Sequence, residues 1–591
     1  MKLFRPTALL LVVLLRAGGG FAAQPVDAAI IPLDELKPGQ RGEVWTVFRG
    51  SEPEPFAVEV TGVLRNALGP GKSLIVCQLT DERVQKMGAV AGMSGSPLYV
   101  EGRFAGALSY QIQRFETVRH AGFTPAADLD EVKNRVAVAP EAGKSASSLS
   151  GVTSPESPYR ALQPVFSLGG LSPAVADLFA PQFAAVGLNA SGLGGHTTAA
   201  AASSPNGQPS AGNATPLRPG SAVSVALATG DITLAGTGTV SRVDGSRVTA
   251  FGHPMMTLGE AALPMCAADI LTILPSQMQS VKIANTGAVI GTITQDRLSA
   301  ISGTLGAGPE MIGVEVKVTP LTGAPRTLKF SVVRHQQITP MIMASGVAQA
   351  ILGSNDAGLT KGFRLSSNIR FAATAQLEFQ TLYPGPQGFT QGLNEFVQGL
   401  AANLQNPYAK TFPERVTFTI EPLETNPSVT LDLFQLSRTT VAPGQIVQAT
   451  LAWRDWQGEA RREIIDLTID PKWAGRQLEV ILAPGRALDQ LTGRPRTIAA
   501  AELRSFDAYL AAMRDDRPGD GVFIAVVERA SLFTDQTVAT AEAPGSIERI
   551  ARGADEARFR RREAVLPLWE KHLQPGKLFN TIIRRPLVVT E

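Results

Sequence analysis

The chain has 591 residues, of which 44% are hydrophobic and 18% are charged, and its net charge at pH 7 is +2. This length predicts about three or four domains with buried cores, and the near-neutral charge gives no indication of a nucleic-acid partner. The 57 glycines and 41 prolines favour turns and short strands over long helices. We therefore expect a mainly β protein with no nucleic-acid partner.

The N-terminus has the pattern of a secretory signal peptide. Lys2 and Arg5 give it a positive start, and residues 7–15 form a short apolar run that small residues follow. The run is too short to span a bilayer, and no later run of about eighteen apolar residues follows it. We therefore expect residues 1–23 to be removed and the mature chain to be exported to the periplasm or the extracellular space.

Cysteine and histidine are both rare in this chain. Cys77 and Cys266 are the only cysteines, and an exported protein permits a disulfide between them, whereas the alternative is two buried free thiols. Spacing alone does not show proximity, so the sequence leaves both alternatives open. Five histidines and two distant cysteines do not form a pattern of metal ligands, and we expect no metal or other cofactor.

Strand patterns, turn signals and composition divide the chain after the signal peptide into five parts. The two β regions carry the functional motifs, and the Ser-, Ala-, Gly- and Pro-rich segment between them is expected to be partly disordered. The parts are a first β region at 29–136, a linker at 137–221, a second β region at 222–335, an α/β extension at 336–415 and a C-terminal domain at 416–591.

The C-terminal domain shows short alternating strands and is expected to be a β-sandwich-like accessory domain with added helices. Amphipathic patterns predict helices at 501–514 and 557–572, with a strand at 522–527 between them. The basic run of Arg558, Arg560, Arg561 and Arg562 is expected to be a solvated face, and the alternative is a binding patch. No candidate chemistry lies in this domain, and we expect it to contact an envelope protein partner.

A serine flanked by glycines is the strongest functional signal. The motif Gly92-Met93-Ser94-Gly95-Ser96-Pro97 lies between a strand at 73–79 and a hairpin that turns at Glu101-Gly102. Gly92 allows the backbone to turn so that its N–H and that of Ser94 form an oxyanion hole. Ser94 is the predicted nucleophile and Ser96 the competing hydroxyl, whereas a tight Gly-Ser turn is the structural alternative.

A histidine at the end of a second hairpin is the matching signal. Gly236-Thr237-Gly238-Thr239 leads through a turn at Asp244-Gly245 to a strand that ends at Phe251-Gly252-His253. The predicted role of His253 is that of a general base. The alternative is a core histidine with a satisfied hydrogen bond at a strand end.

Together the two motifs, with Leu79-Thr80-Asp81, resemble the SpoIVB peptidase family, the S55 serine peptidases. The resemblance implies a trypsin-like double β-barrel and a Ser-His-Asp mechanism. The β region at 29–136 would then be the Ser-bearing barrel half and the β region at 222–335 the His-bearing half. It assigns Ser94 as the nucleophile, His253 as the base and Asp81 as the acid that orients the imidazole.

The acid is the member with the most alternatives. Asp81 is also well placed to cap a helix predicted at 82–87. Asp231 and Asp244 are the other candidates from the second β region, although an Asp-Gly turn accounts for Asp244.

The order of the motifs differs from that of the sporulation protease, in which the histidine segment comes first. A catalytic triad is defined by the positions of its members in space, and unrelated proteases reach it in different chain orders. The linker at 137–221 is long enough to cross between barrels, so we expect a reversed barrel order. The sequence therefore predicts an exported serine endopeptidase acting on protein or peptide substrates, and the alternative is a non-catalytic envelope binding protein that retains the barrel.

Overall fold

A computed structural model describes most of the chain, with gaps. The predicted signal peptide and most of the predicted linker lie outside the described residues. These are 24–25, 27–112, 117–135, 159–162, 164–188, 190–191, 195–196, 216–276, 280–320, 324–353, 357–372, 375–404, 412–492, 506–514, 516–535, 538–541 and 559–591.

The first sheet closes into a six-stranded antiparallel barrel. Its strands follow the order β1-β2-β3-β6-β5-β4, and β4 pairs back with β1, while a seventh strand, β7, extends the edge of β5. Alternate residues of β2 are buried, as expected for a strand with one face on a core. The seven strands are β1 Arg41–Thr46, β2 Glu54–Leu64, β3 Leu74–Leu79, β4 Pro97–Val100, β5 Arg103–Ile112, β6 His120–Pro125 and β7 Tyr159–Ala161.

The second sheet is larger and contains a second closed circuit. Six of its strands pair in the ring β11-β14-β15-β16-β13-β12, and β12 pairs back with β11. The remaining strands extend this ring on both sides. The fourteen strands are β8 Val165–Gly169, β9 Ala190–Ser191, β10 Gly195–His196, β11 Ala222–Gly230, β12 Thr233–Asp244, β13 Arg247–Ala250, β14 Gly259–Leu274, β15 Val281–Arg297, β16 Ala300–Leu305, β17 Ile312–Val318, β18 Arg326–Val332, β19 Phe363–Ala372, β20 Ala375–Tyr383 and β21 Arg415–Pro422.

The helices of the described residues are few and cover the sheets. The fourth is apolar and buried along nearly its whole length, and it packs against the core of the second sheet. None of them is long and apolar enough to cross a bilayer. They are α1 Glu82–Met87, α2 Ala126–Lys133, α3 Pro173–Ala185, α4 Ile338–Leu352, α5 Pro386–Leu404, α6 Gly485–Thr492 and α7 Phe506–Arg514, with 3-10 turns at Leu33–Glu35, Ala357–Leu359 and Pro471–Trp473.

Two smaller sheets pack face to face in the C-terminal part. A three-stranded sheet and a six-stranded sheet share one apolar core, in which Phe434 and Leu451 of the first meet Val480 and Ile524 of the second. The nine strands are β22 Val429–Leu436, β23 Thr440–Val441, β24 Ile446–Asp455, β25 Ala460–Thr468, β26 Gln477–Ala483, β27 Val522–Asp535, β28 Val538–Ala541, β29 Phe559–Leu573 and β30 Ile583–Val589.

The helix predicted at 557–572 is wrong. Residues Phe559–Leu573 form the long strand β29, which pairs with β27 along its whole length. Pro567 gives the physical reason, because proline in a helix interior removes a hydrogen bond and clashes with the preceding turn. In the strand, the pairing register shifts between Val526 and Val527, which lies opposite Pro567, and a bulge of this kind is where a sheet tolerates proline.

The two cysteines do not form a disulfide. Cys77 on β3 and Cys266 on β14 are both buried free thiols, in different apolar clusters. Burial raises the pKa of both thiols, that of Cys266 to about 12. Each is therefore protonated at neutral pH, the form in which a thiol is a poor nucleophile.

Candidate active site

The segment that carries Ser94 is a sharp turn between α1 and β4. Gly92 and Gly95 have φ angles of 97° and 94°, which favour glycine. The N–H groups of Met93 and Gly95 donate to the carbonyl oxygens of Val90 and Leu108 at 2.9 and 2.7 Å. Among the described hydrogen bonds, those of Gly92 and Ser94 donate to no acceptor, which leaves two free donors where the sequence predicts an oxyanion hole.

His253 lies just after β13, beyond a backbone turn. Phe251 and Gly252 have φ angles of 70° and 68°, and the His253 side chain is buried. Its Nδ1 lies 2.8 Å from the carbonyl oxygen of Pro254. A carbonyl oxygen only accepts, so we assign the ring proton to Nδ1, and Nε2 then presents a lone pair.

Thr239 on β12 joins the serine segment to the histidine segment. Its N–H donates to the carbonyl of Ser94 at 2.8 Å and its hydroxyl to the carbonyl of Gly92 at 3.0 Å. Its own carbonyl accepts from the N–H of Phe251 at 3.2 Å. The fold therefore brings together the two motifs that the sequence predicts, although they belong to different sheets and lie more than a hundred residues apart.

A second link fixes the backbone immediately before His253. The hydroxyl of Thr124 on β6 donates to the carbonyl of Gly252 at 2.6 Å, and it lies 2.7 Å from the hydroxyl of Ser109 on β5. A Cβ on Gly252 would lie 2.9 Å from the Ser109 oxygen, closer than real Cβ contacts allow. Strands β5 and β6 of the first barrel thus hold the turn that precedes His253 in place.

The reactive atoms of both predicted residues lack partners. Ser94 Oγ and His253 Nε2 are buried and have no hydrogen bond in the structure. A buried polar group left unsatisfied costs about 1–3 kcal/mol, so proteins keep few of them, and each needs an explanation. One of these atoms carries a donor proton and the other an acceptor lone pair, and catalytic hydrogen bonds often tighten only when substrate is bound.

The protonation state of His253 suits a general base. Burial lowers the pKa of His253 to about 4, and the carbonyl groups of Pro254 and Leu162 offset only part of this effect. The imidazole is therefore neutral at pH 7. A general base must be deprotonated before it accepts the nucleophile's proton.

Asp81 lies at the start of α1. Its carboxylate accepts the N–H of Arg83 at 2.8 Å as the helix N-cap, and it is ion-paired with the Arg83 guanidinium at 3.1 Å. Burial raises the pKa of Asp81, but the hydrogen bonds and charge of Arg83 outweigh this effect and hold it below its usual value. No hydrogen bond joins Asp81 to His253, so its place in a triad stays a prediction from the resemblance.

The two alternative acids also have other partners. Asp231 accepts the N–H of Lys329 at 2.6 Å. Asp244 is ion-paired with Lys133 and Arg242 at 3.3 and 3.0 Å. The group that faces Nδ1 of His253 in the described structure is thus a backbone carbonyl rather than a carboxylate.

Sequence reasoning did not single out Asp296, which holds the loop that follows His253. Its buried carboxylate accepts the N–H groups of Met255, Met256 and Leu258 at 2.7, 2.8 and 3.1 Å. Burial raises the pKa of Asp296, and these N–H groups oppose the shift. The only signal in the sequence is an acidic residue inside a strand, which does not reveal what it binds.

Lys282 on β15 is a second residue that sequence reasoning did not find. Its N–H donates to the carbonyl of Ala91 at 3.0 Å, and its side chain packs so closely on Gly92 that a Cβ there would lie 2.9 Å from the Lys282 Cβ. Its buried Nζ donates to the hydroxyl of Thr46 at 2.8 Å. Burial lowers the pKa of Lys282 to about 7.

Lys282→Met should change how stability depends on pH. The lysine pKa falls from 10.5 to about 7 on folding, so the unfolded chain binds more protons between these values and the free energy of unfolding of the wild type rises with pH across them. Methionine removes this rise. The free energy of unfolding of the variant, relative to that of the wild type, should therefore be highest at pH 7 and lowest near pH 10. Urea unfolding at both pH values measures this difference.

Lys86→Met is the matched control, because the Lys86 ammonium is exposed and its ion pair among the described residues is with Glu82, one turn earlier on α1. Its effect should be small and nearly the same at both pH values. An equal change in stability at pH 7 and pH 10 for Lys282→Met would contradict a shifted lysine pKa.

A cavity of about 560 Å³ lies elsewhere, between β20, α5 and the C-terminal sandwich. Phe379, Tyr383, Phe396 and Arg486 contribute to its lining, and neither Ser94 nor His253 does. The cavity therefore contains neither of the two candidate catalytic side chains, which lie on the segments that Thr239 joins.

The closed barrel with a serine on a glycine-flanked turn places the N-terminal part of the chain in the class of serine-peptidase-like domains. Residues 23–115 match the SpoIVB peptidase S55 family, and this segment carries such a domain. The matched residues include Ser94 and its hairpin, whereas His253 lies beyond them. No curated protein and no solved structure matches the chain.

Proposed function

We propose that this protein is a serine endopeptidase of the S55 type, with Ser94 as the nucleophile and His253 as the general base. The observation that supports this proposal is the pair of buried, unsatisfied atoms, Ser94 Oγ and His253 Nε2, on two segments that Thr239 joins. The peptidase family of the first barrel implies protein or peptide substrates.

The proposed reaction proceeds through an acyl-enzyme. Ser94 Oγ attacks the carbonyl carbon of the substrate while His253 Nε2 accepts its proton and then transfers that proton to the leaving amine. Water, deprotonated by the same nitrogen, hydrolyses the ester and restores Ser94. The free N–H groups of Gly92 and Ser94 would stabilise the oxyanion formed in both halves of the reaction.

The carbonyl of Pro254 performs one of the two tasks of a triad acid. It accepts the Nδ1 proton and so selects the tautomer in which Nε2 carries the lone pair that a general base needs. It carries no full negative charge, so it stabilises the imidazolium less than a carboxylate does. Asp296 supports it by fixing the loop after His253 through three backbone N–H groups.

The proposed architecture is a trypsin-like double barrel with its two barrels in reversed order. The six-stranded barrel that carries Ser94 comes first, and the closed circuit β11 to β16 that carries the histidine turn comes second. The hydrogen bonds from Thr239 to the serine segment lie at their junction, which is where a two-barrel protease has its active site.

We also propose that the protein acts outside the cytoplasm. The positive residues Lys2 and Arg5 and the apolar run at 7–15 support export. The C-terminal sandwich has its own core, and we assign it an accessory role in binding an envelope partner.

Reaction with a fluorophosphonate probe tests the proposed function. The probe should modify Ser94 of the folded protein, and mass spectrometry of the peptide that contains it should locate the adduct. Ser96→Ala is the matched control and should leave the adduct in place, because the Ser96 hydroxyl donates to the carbonyl of Met93 at 2.6 Å and stays inside the turn. An adduct on Ser96 would assign the nucleophile's role to that residue instead, and no adduct on any folded form, including one with an opened site, would favour the non-catalytic binding protein.

A further inference from the structure

A short strand from the predicted linker lies on the edge of β5 beside the proposed active site. The pairing of β4 with β5 reaches only from Arg103 to Ala107, and β7 pairs with the next stretch of the same edge. The pairs are antiparallel and join Tyr110 to Ala161, Gln111 to Arg160 and Ile112 to Tyr159. One further hydrogen bond runs from the N–H of Leu162 to the carbonyl of Ser109 at 2.8 Å.

The direction of this strand brings Leu162 to the reactive groups. Leu162 is bound at Ser109, and the preceding residue on β5, Leu108, accepts the N–H of Gly95 next to the proposed nucleophile. The carbonyl of Leu162 also raises the pKa of the His253 imidazole and so offsets part of the effect of burial. Of the four residues 159–162, Leu162 therefore lies nearest to Ser94 and His253.

The Leu162 side chain is almost fully buried, with 1% of its surface exposed. It belongs to the apolar cluster of the first barrel, which includes Met93, Leu108 and Phe123. Arg160, two residues earlier, is exposed. The segment thus combines backbone pairing along β5 with one buried apolar anchor at the end nearest the nucleophile.

We propose that Tyr159–Leu162 occupy the substrate-binding edge of their own chain, in the place of the four residues that precede a cleaved bond. This inference rests on the proposed function. Strand addition supplies hydrogen bonds that any extended peptide makes, and specificity comes from the pocket that holds a side chain. The pocket filled by Leu162 then selects extended substrates with an apolar, leucine-sized residue immediately before the cleaved bond.

Occupancy by this segment explains why the site is closed. Ser94 and His253 are 0% and 1% exposed, which no external protein substrate can reach in this arrangement. A tethered segment competes at an effective concentration in the millimolar range, so an external substrate of ordinary affinity binds poorly until the segment leaves. The chain is in this sense its own competitive inhibitor.

Leu162→Asp should open the site. Burial of a leucine side chain contributes about 1.5–3 kcal/mol, so its loss should raise the rate constant for fluorophosphonate labelling of Ser94 by about 10- to 100-fold. Arg160→Asp introduces the same carboxylate on the same strand at an exposed position, and it should change the rate by less than about twofold. Leu162→Gly gives a second means of removing the anchor without adding a charge.

The outcomes separate this inference from the proposed function. Labelling of Ser94 at the wild-type rate in both folded Leu162 variants would overturn the inference and leave the peptidase intact. Absence of labelling in every folded variant would overturn the peptidase itself. The specificity is then tested with the Leu162→Asp enzyme and two peptides that carry an aminocoumarin leaving group, Tyr-Arg-Ala-Leu and Tyr-Arg-Ala-Asp. Only the leucine peptide should be hydrolysed at a measurable rate. Equal rates for the two peptides would overturn the assigned pocket.

Discussion

Replacing His253 with alanine should lower kcat for peptide-bond hydrolysis by about a million-fold, and Ser94→Ala should cause a loss of the same size. The two side chains act as one unit, because the serine hydroxyl is a weak nucleophile until the imidazole accepts its proton. The variant that lacks both residues should therefore be no slower than either single variant. The rates are measured with a quenched-fluorescent unfolded protein as the substrate. Each variant is made both in the wild-type enzyme and in the enzyme that carries Leu162→Asp.

Asp81→Asn is the informative companion to this experiment. The contacts of Asp81 are those of a helix cap paired with Arg83. Asparagine caps a helix about as well as aspartate, and a partly exposed ion pair contributes at most about 1 kcal/mol, so we expect a small loss in stability and a rate near that of the parent. Replacement of a triad acid would instead lower kcat by about 10⁴-fold.

The double variant of Ser94 and His253 has its own contrary outcome. Additive losses in kcat would contradict the proposal that these two residues act as one unit.

The features that the sequence predicted well are local ones. Gly92 and Gly95 flank Ser94 because the turn needs positive φ angles at both positions, and such glycines are visible in the sequence itself. Helix α1 starts directly after its Asp81 cap, as the sequence indicates. The mainly β character likewise follows from short alternating strands and frequent turns, whereas the closed barrel was expected only from the family resemblance.

The contacts that assemble the site were beyond prediction because they join distant parts of the chain. Nothing in the sequence near Thr239 indicates that it binds both Gly92 and Ser94. Lys282 resembles any lysine in an alternating strand, yet its side chain is buried against the proposed oxyanion turn. Leu162 lies at the edge of a low-complexity segment, where a partner on β5 has no local signature.

The helix predicted at 557–572 shows how a periodic pattern misleads. Apolar residues there recur at a spacing that fits a helical face, and Pro567 was the contrary signal. The segment forms a strand because β27 pairs with it along its full length. Hydrogen bonds to such a partner depend on the tertiary fold rather than on the sequence of the segment.

Gly95→Ala should be among the most destabilising single substitutions in the chain. Gly95 has a φ of 94°, and a Cβ there would lie well under 3.0 Å from the carbonyl oxygen of Thr239 and the backbone nitrogen of Phe251. Neither is the end of a flexible side chain, so the two sheets must separate at their junction. Backbone strain and overpacking together should lower the free energy of unfolding by about 4 kcal/mol.

Gly102→Ala in the following hairpin isolates the contribution of the junction. Gly102 has a φ of 73°, but a Cβ there meets no atom within 4 Å, so only backbone strain of about 1 kcal/mol should appear. Urea unfolding followed by tryptophan fluorescence compares the two variants, and fluorophosphonate labelling shows whether the site survives. If the contact of Gly95 with Thr239 and Phe251 assembles the active site, Gly95→Ala should lose much more stability than Gly102→Ala and should also lose labelling. Equal losses of stability in the two variants would mean that the junction accommodates the extra methyl group.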